Sequence, residues 1–177
     1  MLAMLFACPS FAVTLQGRIV GVTDGDTVTL LDAENRQHEI RLASIDAPET
    51  SCHARRPSMR DELCVEQSQP FGRAAKKHLS NLVYGKLVSV ELQEKKNGQV
   101  DSSYNREIGT IIVDGIDANL DQVQNGFAWH YIEYAKRYQS DTAFQRYEAA
   151  ENDARANRLG LWKDSHPTPP WSYRHAR

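Results

Sequence analysis

Five charged side chains could do chemistry together. Asp26 lies in Asp24-Gly25-Asp26-Thr27, and Arg41, Asp46 and Glu49 lie in Arg41-Leu-Ala-Ser-Ile-Asp46-Ala47-Pro48-Glu49. Arg106 closes Tyr104-Asn105-Arg106. Three carboxylates can hold a hard cation and prime a water, and two guanidiniums can grip a phosphate and the charge that develops on it. That set is what metal-assisted cleavage of a phosphodiester requires.

Taken singly, each piece has an ordinary alternative. Asp24-Gly25 is a hairpin turn signal, Asp46 to Glu49 reads as a charged solvated turn, and Arg41 and Arg106 read as exposed strand arginines. Pro48 fixes its own φ and pushes Ala47 toward extended backbone, so the acids at either end of Ala47-Pro48 are held apart on a stiff corner. No histidines or cysteines cluster with these acids, so the donors are oxygens. Asp26, Asp46 and a backbone carbonyl suit Ca²⁺ better than zinc.

The 177 residues favour one domain, expected over 13–177, that is large enough to bury its own core. A formal net charge of −2 is low for a passive nucleic-acid binder, so any positive charge meant for a phosphate backbone must be gathered in one groove. Residues 1–12 are a short apolar run ending Ser10-Phe11-Ala12, which reads as a signal peptide cleaved after Ala12 and predicts a periplasmic or secreted protein. A rival reading lipidates Cys8. Without the leader, Cys52 and Cys64 remain as an even pair in one polar stretch, able to form a loop disulfide in an oxidising compartment. A zinc site at Cys52, His53 and Cys64 lacks a fourth ligand.

These residues must be positioned by strands. Residues 18–22 and 28–31 flank the Asp24-Gly25 turn, and residues 39–42 alternate Ile40 and Leu42 against Arg41. A polar loop is expected over about 50–69. A helix is expected from Phe71 to Val83, with Pro70 at its start and Gly85 as its stop. Residues 87–92 predict a fourth strand, Lys95 to Gly98 a turn, and Arg106 to Val113 a fifth strand. A short helix from Ala118 to Asn125 and a longer one capped by Ser140 or Asp141 follow. The tail with Pro167, Pro169 and Pro170 predicts no regular helix. Trp129 is expected in the core, Trp162 as a packing anchor and Trp171 as part of a docked tail. The whole reads as an α+β, mainly β chain: a five-stranded OB-type barrel with about three packed helices.

The order of these motifs resembles the staphylococcal nuclease-like, or thermonuclease, family. The resemblance is carried by Val22-Thr-Asp24-Gly-Asp26-Thr27-Val28, the Arg41 to Glu49 segment, Gln69-Pro-Phe-Gly72 opening a helix, Tyr104-Asn-Arg106, Gly126-Phe-Ala-Trp129, Gly160-Leu-Trp162 and Pro169-Pro-Trp171. In length the chain is similar to exported or plasmid-carried bacterial members, including plasmid partition-associated nucleases. The resemblance implies a Ca²⁺-dependent endonuclease for DNA and also RNA, in which water displaces the 5′ oxygen and leaves 3′-phosphates. It implies Asp26 and Asp46 as side-chain metal ligands, the Ala47 carbonyl as a third ligand, and Asp24 behind them. It further implies Glu49 as the base or orienter of water, Arg41 and Arg106 as stabilisers of the pentacoordinate phosphorus, and Tyr104 and Tyr134 as substrate contacts. The family's usual Tyr-Gly-Arg is Tyr104-Asn105-Arg106 here. A monomer acting on nucleic acid is expected, with no membrane contact beyond the export signal. The alternative is an OB-fold module that binds nucleic acid with weak catalysis.

Overall fold

Period-2 alternation of apolar residues builds the frame. In the computed structural model, which describes residues 13–50, 68–95, 99–103 and 106–175, five long strands carry it. They are β1 (Thr14–Val22), β2 (Thr27–Leu31), β3 (Gln37–Leu42), β5 (Leu87–Leu92) and β7 (Arg106–Val113). Short strands β4 (Ile45–Asp46), β6 (Ser102–Ser103), β8 (Ile116–Asp117) and β9 (Trp129–His130) are added at turns and edges. The long strands run in the order β3-β2-β1-β5-β7, and β3 then pairs parallel with β7 to close the barrel. Alternate residues Ile19, Val28, Leu30, Ile40, Leu42, Val90 and Ile111 point inward and are fully buried. The closed five-stranded OB barrel expected from the sequence is therefore present.

The three expected helices form as α1 (Gly72–Val83), α2 (Ala118–Gln124) and α4 (Asp141–Ala156). Ser140 caps α4 by accepting from the Ala143 N–H at 3.2 Å. Ala75, Leu79 and Val83 of α1 and Val123 of α2 join the barrel core. Two further α-helices appear among the described residues: α3 (Ile132–Tyr138) and α5 (Pro170–His175). The second corrects the reading of the tail. Pro170 is the first residue of α5, where a missing N–H and a fixed φ cost the helix nothing.

A second cluster gathers Trp129, Ala154, Leu161 and Trp162, with Phe71 and Trp171 packed on it. Trp129 and Trp162 are buried, as expected, and Trp171 lies 5.3 Å from Tyr131, ring over ring. This cluster fixes the C-terminal segment to the barrel. Among the described residues no helix is long and apolar enough to cross a membrane. The leader, the Cys52–Cys64 pair, Tyr104 and the turn at 96–98 lie outside the described residues.

Candidate active site

Strand register brings four of the five charges together. Thr27 on β2 stands opposite Arg41 on β3, so Asp26 at the end of the turn meets the Arg41 side chain. The parallel pairing of β3 with β7 sets Arg41 against Ile108, which places Arg106 at the same end of the barrel. The antiparallel pair β4–β9 sets Asp46 against Trp129 and so brings Tyr131 and Tyr134 to this end as well. Thr23, Asp24, Arg41, Glu49, Arg106 and Tyr134 are among the residues lining one cavity of about 720 Å³.

Below this cavity Asp26 and Asp46 are almost wholly buried. The Arg41 Nη2 atom lies 3.0 Å from Asp26 Oδ2 and 2.7 Å from Asp46 Oδ1. One nitrogen touching both carboxylates means that the two acids converge on a single point. Asp26 also accepts from the Thr27 hydroxyl at 2.9 Å and from the Ala47 N–H at 3.2 Å. Its carboxyl is held below the usual carboxylate range: burial opposes its charge, but the Arg41 guanidinium and these hydrogen bonds overcome burial. Asp24 is pushed up to about 8, first by desolvation and then by repulsion from Asp26. Asp46 is also raised, first by desolvation, because Arg174 and Arg41 do not fully offset burial and the charge of Asp26.

Burial and mutual repulsion thus disfavour the charged forms of Asp24 and Asp46, and a cation between the acids would favour them. The donors are all oxygens on rigid backbone, which suits a hard divalent cation. Among the described residues no three His, Cys, Asp or Glu side chains form a ready cluster. A cation here would be held by the Asp26–Asp46 pair, with main-chain oxygen and water completing its shell.

Four glycine and glutamine positions explain how the sequence holds these acids. A Cβ on Gly25 would lie 2.7 Å from the Cβ atoms of Ala47 and Ala75, so the Asp24–Asp26 turn packs directly on the Asp46 corner and on α1. A Cβ on Gly72 would lie 2.4 Å from the Glu49 carbonyl oxygen, so the start of α1 presses on the Glu49 backbone. Gln69 clamps the same residue. Its side-chain oxygen accepts from the Glu49 N–H at 3.1 Å, and its own N–H donates to the Glu49 carbonyl at 2.9 Å. From α2, buried Gln122 donates to the Gly25 carbonyl at 2.6 Å.

The remaining expected residues are placed as follows. Arg106 lines the cavity and is half-buried, with Nε 3.4 Å from the Ser103 carbonyl. Tyr134 lines the cavity too, but its hydroxyl donates to Asp101 at 2.9 Å, beside the Tyr138 hydroxyl at 2.6 Å. Burial and the Asp101 charge push its ionisation far up, so this phenol is neutral. Sequence reasoning missed Arg174 of α5. Its Nη1 atom reaches Glu49 Oε1 at 2.6 Å and Asp46 Oδ1 at 3.1 Å, and its Nη2 atom reaches Asp46 Oδ2 at 2.7 Å. The only available signal was a basic residue just after Pro169-Pro170-Trp171.

Residues 39–164 match the profile of the family described as staphylococcal nuclease homologue. The chain belongs to the staphylococcal nuclease family. That membership makes it a hydrolytic nuclease. It is 31% identical over 174 residues to a protein of Escherichia coli O157:H7 named an uncharacterized endonuclease, covering 98% of this chain and 94% of that one. It is 34% identical over 157 residues to a Haemophilus influenzae protein of the same name, covering 89% of this chain and 71% of that one. It is 33% identical over 183 residues to a Shigella flexneri micrococcal nuclease, covering 98% and 87% of the two chains. The matched profile includes Arg41, Asp46, Glu49 and Arg106 and stops before Arg174.

Proposed function

We propose that this nuclease is a Ca²⁺-dependent endonuclease of DNA and RNA that leaves 3′-phosphate ends. The observation that carries the reading is the convergence of Asp26 and Asp46 on one Arg41 nitrogen beside a cavity lined by Glu49 and Arg106. Asp26, Asp46 and the Ala47 carbonyl would hold the cation, and Asp24 would support them. Bound there, the cation supplies positive charge against a phosphate oxygen.

The chain's own side chains do the rest. Glu49, held at its backbone by Gln69, would orient a water and take its proton. The water oxygen forms a bond to phosphorus as Glu49 takes its proton, the bond from phosphorus to the 5′ oxygen breaks, and a proton delivered through solvent leaves that oxygen as a 5′-hydroxyl while Glu49 gives up the proton it took. Arg41 and Arg106 meet the charge that builds on the phosphoryl oxygens and the leaving oxygen. Tyr104 and the Tyr134 ring would flank the substrate. The protein acts as a monomer in this reading. Export with cleavage after Ala12 belongs to the same proposal, and secreted protein beginning at Val13 is its test.

Supercoiled plasmid and a folded RNA are the substrates for the main test. Ca²⁺ should support cutting of both within the molecule, chelator should stop it, and the new ends should resist ligation until the 3′-phosphate is removed and the 5′-hydroxyl is phosphorylated. Cutting that persists in chelator, or 5′-phosphate ends, would refute this chemistry. Nucleic-acid binding without cutting in any divalent metal would favour the binding module.

A further inference from the structure

Arg174 stands outside the segment that matches the family, yet it makes ionic contacts with two residues of the site, Asp46 at 2.7 Å and Glu49 at 2.6 Å. Its position is built by the C-terminal segment. The Gln69 side chain donates to the Thr168 carbonyl at 2.5 Å, tying the tail to the residue that clamps Glu49. Trp171 then stacks on Tyr131 at 5.3 Å and meets Trp129 edge-on at 6.3 Å. Three residues further along α5, nearly one helical turn, Arg174 comes to the same side of the helix.

Its guanidinium takes both oxygens of Asp46, a residue with no exposed surface, while also holding Glu49 Oε1. Asp46 Oδ1 accepts from Arg41 as well, at 2.7 Å. Between them the two arginines surround the Asp46 carboxylate. A divalent cation that coordinates Asp46 must approach a guanidinium already bonded to the same oxygens, and like charges at that separation repel strongly where water is scarce.

We infer that Arg174 is an internal counter-ion of the cation site, which competes with the divalent ion for Asp46 and makes the C-terminal helix part of the metal-binding equilibrium. This rests on the reading of Asp26 and Asp46 as the ligand pair. Arg174 acts through Asp46 and Glu49 and is thus a positioning residue. It keeps the buried acids paired when the ion is absent and must release Asp46 when the ion binds. Helix α5 is six residues long and is held largely by aromatic contacts, so its loosening leaves the barrel intact.

The test is equilibrium binding. Metal-stripped wild type, Arg174→Gln and Arg174→Lys are titrated with Ca²⁺ by calorimetry, and amide hydrogen exchange of residues 170–175 is followed in wild type with and without Ca²⁺. Arg174→Gln should bind Ca²⁺ at least tenfold more tightly. Arg174→Lys should fall between, because a single ammonium cannot bridge Asp46 and Glu49 in the same fork. Exchange in 170–175 of the wild type should quicken on Ca²⁺ binding. Equal or weaker Ca²⁺ affinity in Arg174→Gln would overturn the inference while leaving the ligand pair standing. Should that variant fail to fold, unchanged exchange in wild type with Ca²⁺ bound would overturn it alone. If wild type and both folded variants take up no Ca²⁺, the ligand-pair reading falls and the inference falls with it.

Discussion

Gln122→Met removes the polar link between α2 and the turn that carries Asp24 and Asp26 while keeping an unbranched side chain of similar length. Gln122 is fully buried. Its amide donates to the Gly25 carbonyl at 2.6 Å and to the Ala75 carbonyl at 3.2 Å, and its oxygen lies 2.6 Å from His78 Nδ1. Methionine would strand the buried Gly25 carbonyl, at a cost of about 1–3 kcal/mol. Loss of the bonds to Ala75 and His78 adds about 1 kcal/mol. The expected loss is thus about 2–4 kcal/mol, and for a domain of this size that lowers Tm by roughly 5–15 °C. Calorimetric melting of the two proteins at pH 7 measures it. Nuclease activity at a temperature where both are folded should also fall, because the Gly25 carbonyl anchors the turn between the two aspartates. A Tm within about 2 °C of wild type, with full activity, would refute the claim that this amide anchors the turn.

Two further substitutions probe the frame. Gly72→Ala would ordinarily favour a helix by up to about 1 kcal/mol. Here its Cβ would meet the Glu49 carbonyl oxygen at 2.4 Å, so the change should instead destabilise by about 1–3 kcal/mol and reduce cutting, as melting and rate measurements would show. His38 lies 3.0 Å from Asp32 and 2.9 Å from Glu107, and its pKa is raised, first by the hydrogen bond to Asp32. The folded state binds its proton more tightly than the unfolded chain does. Its stabilisation is therefore complete below about pH 6.5 and disappears as pH rises through the higher folded value. The Tm gap between wild type and His38→Gln should be wide at pH 5–6 and close toward pH 9; a gap that stays constant would contradict this ion-pair account.

The barrel was legible because its signal is local. Ile40 and Leu42 alternate with Arg41 within one strand, and the β2–β3 register sets Arg41 beside Asp26. Motif order then assembled the acids, since Asp46 and Glu49 sit four and seven residues beyond the end of β3. Helix α3 escaped notice because only Ala135 of its seven residues is buried, which leaves no apolar stripe to read. Arg174 escaped for a different reason. Its partner Asp46 is 128 residues away in sequence, and the contact depends on a proline-led helix docked through Trp171. No periodicity encodes such a contact. The Tyr134 hydroxyl likewise looked free in sequence, whereas folding gives it to Asp101 across a separation of 33 residues.

In the proposed mechanism Glu49 handles the water in a cation-assisted cut. Glu49→Gln keeps the side chain's size and its clamp by Gln69 but removes the base. Single-turnover cleavage of a labelled duplex in saturating Ca²⁺, with duplex affinity measured in parallel, should show binding within a few-fold of wild type and a rate lower by about 10²–10⁴. An undiminished rate in Glu49→Gln would contradict the account.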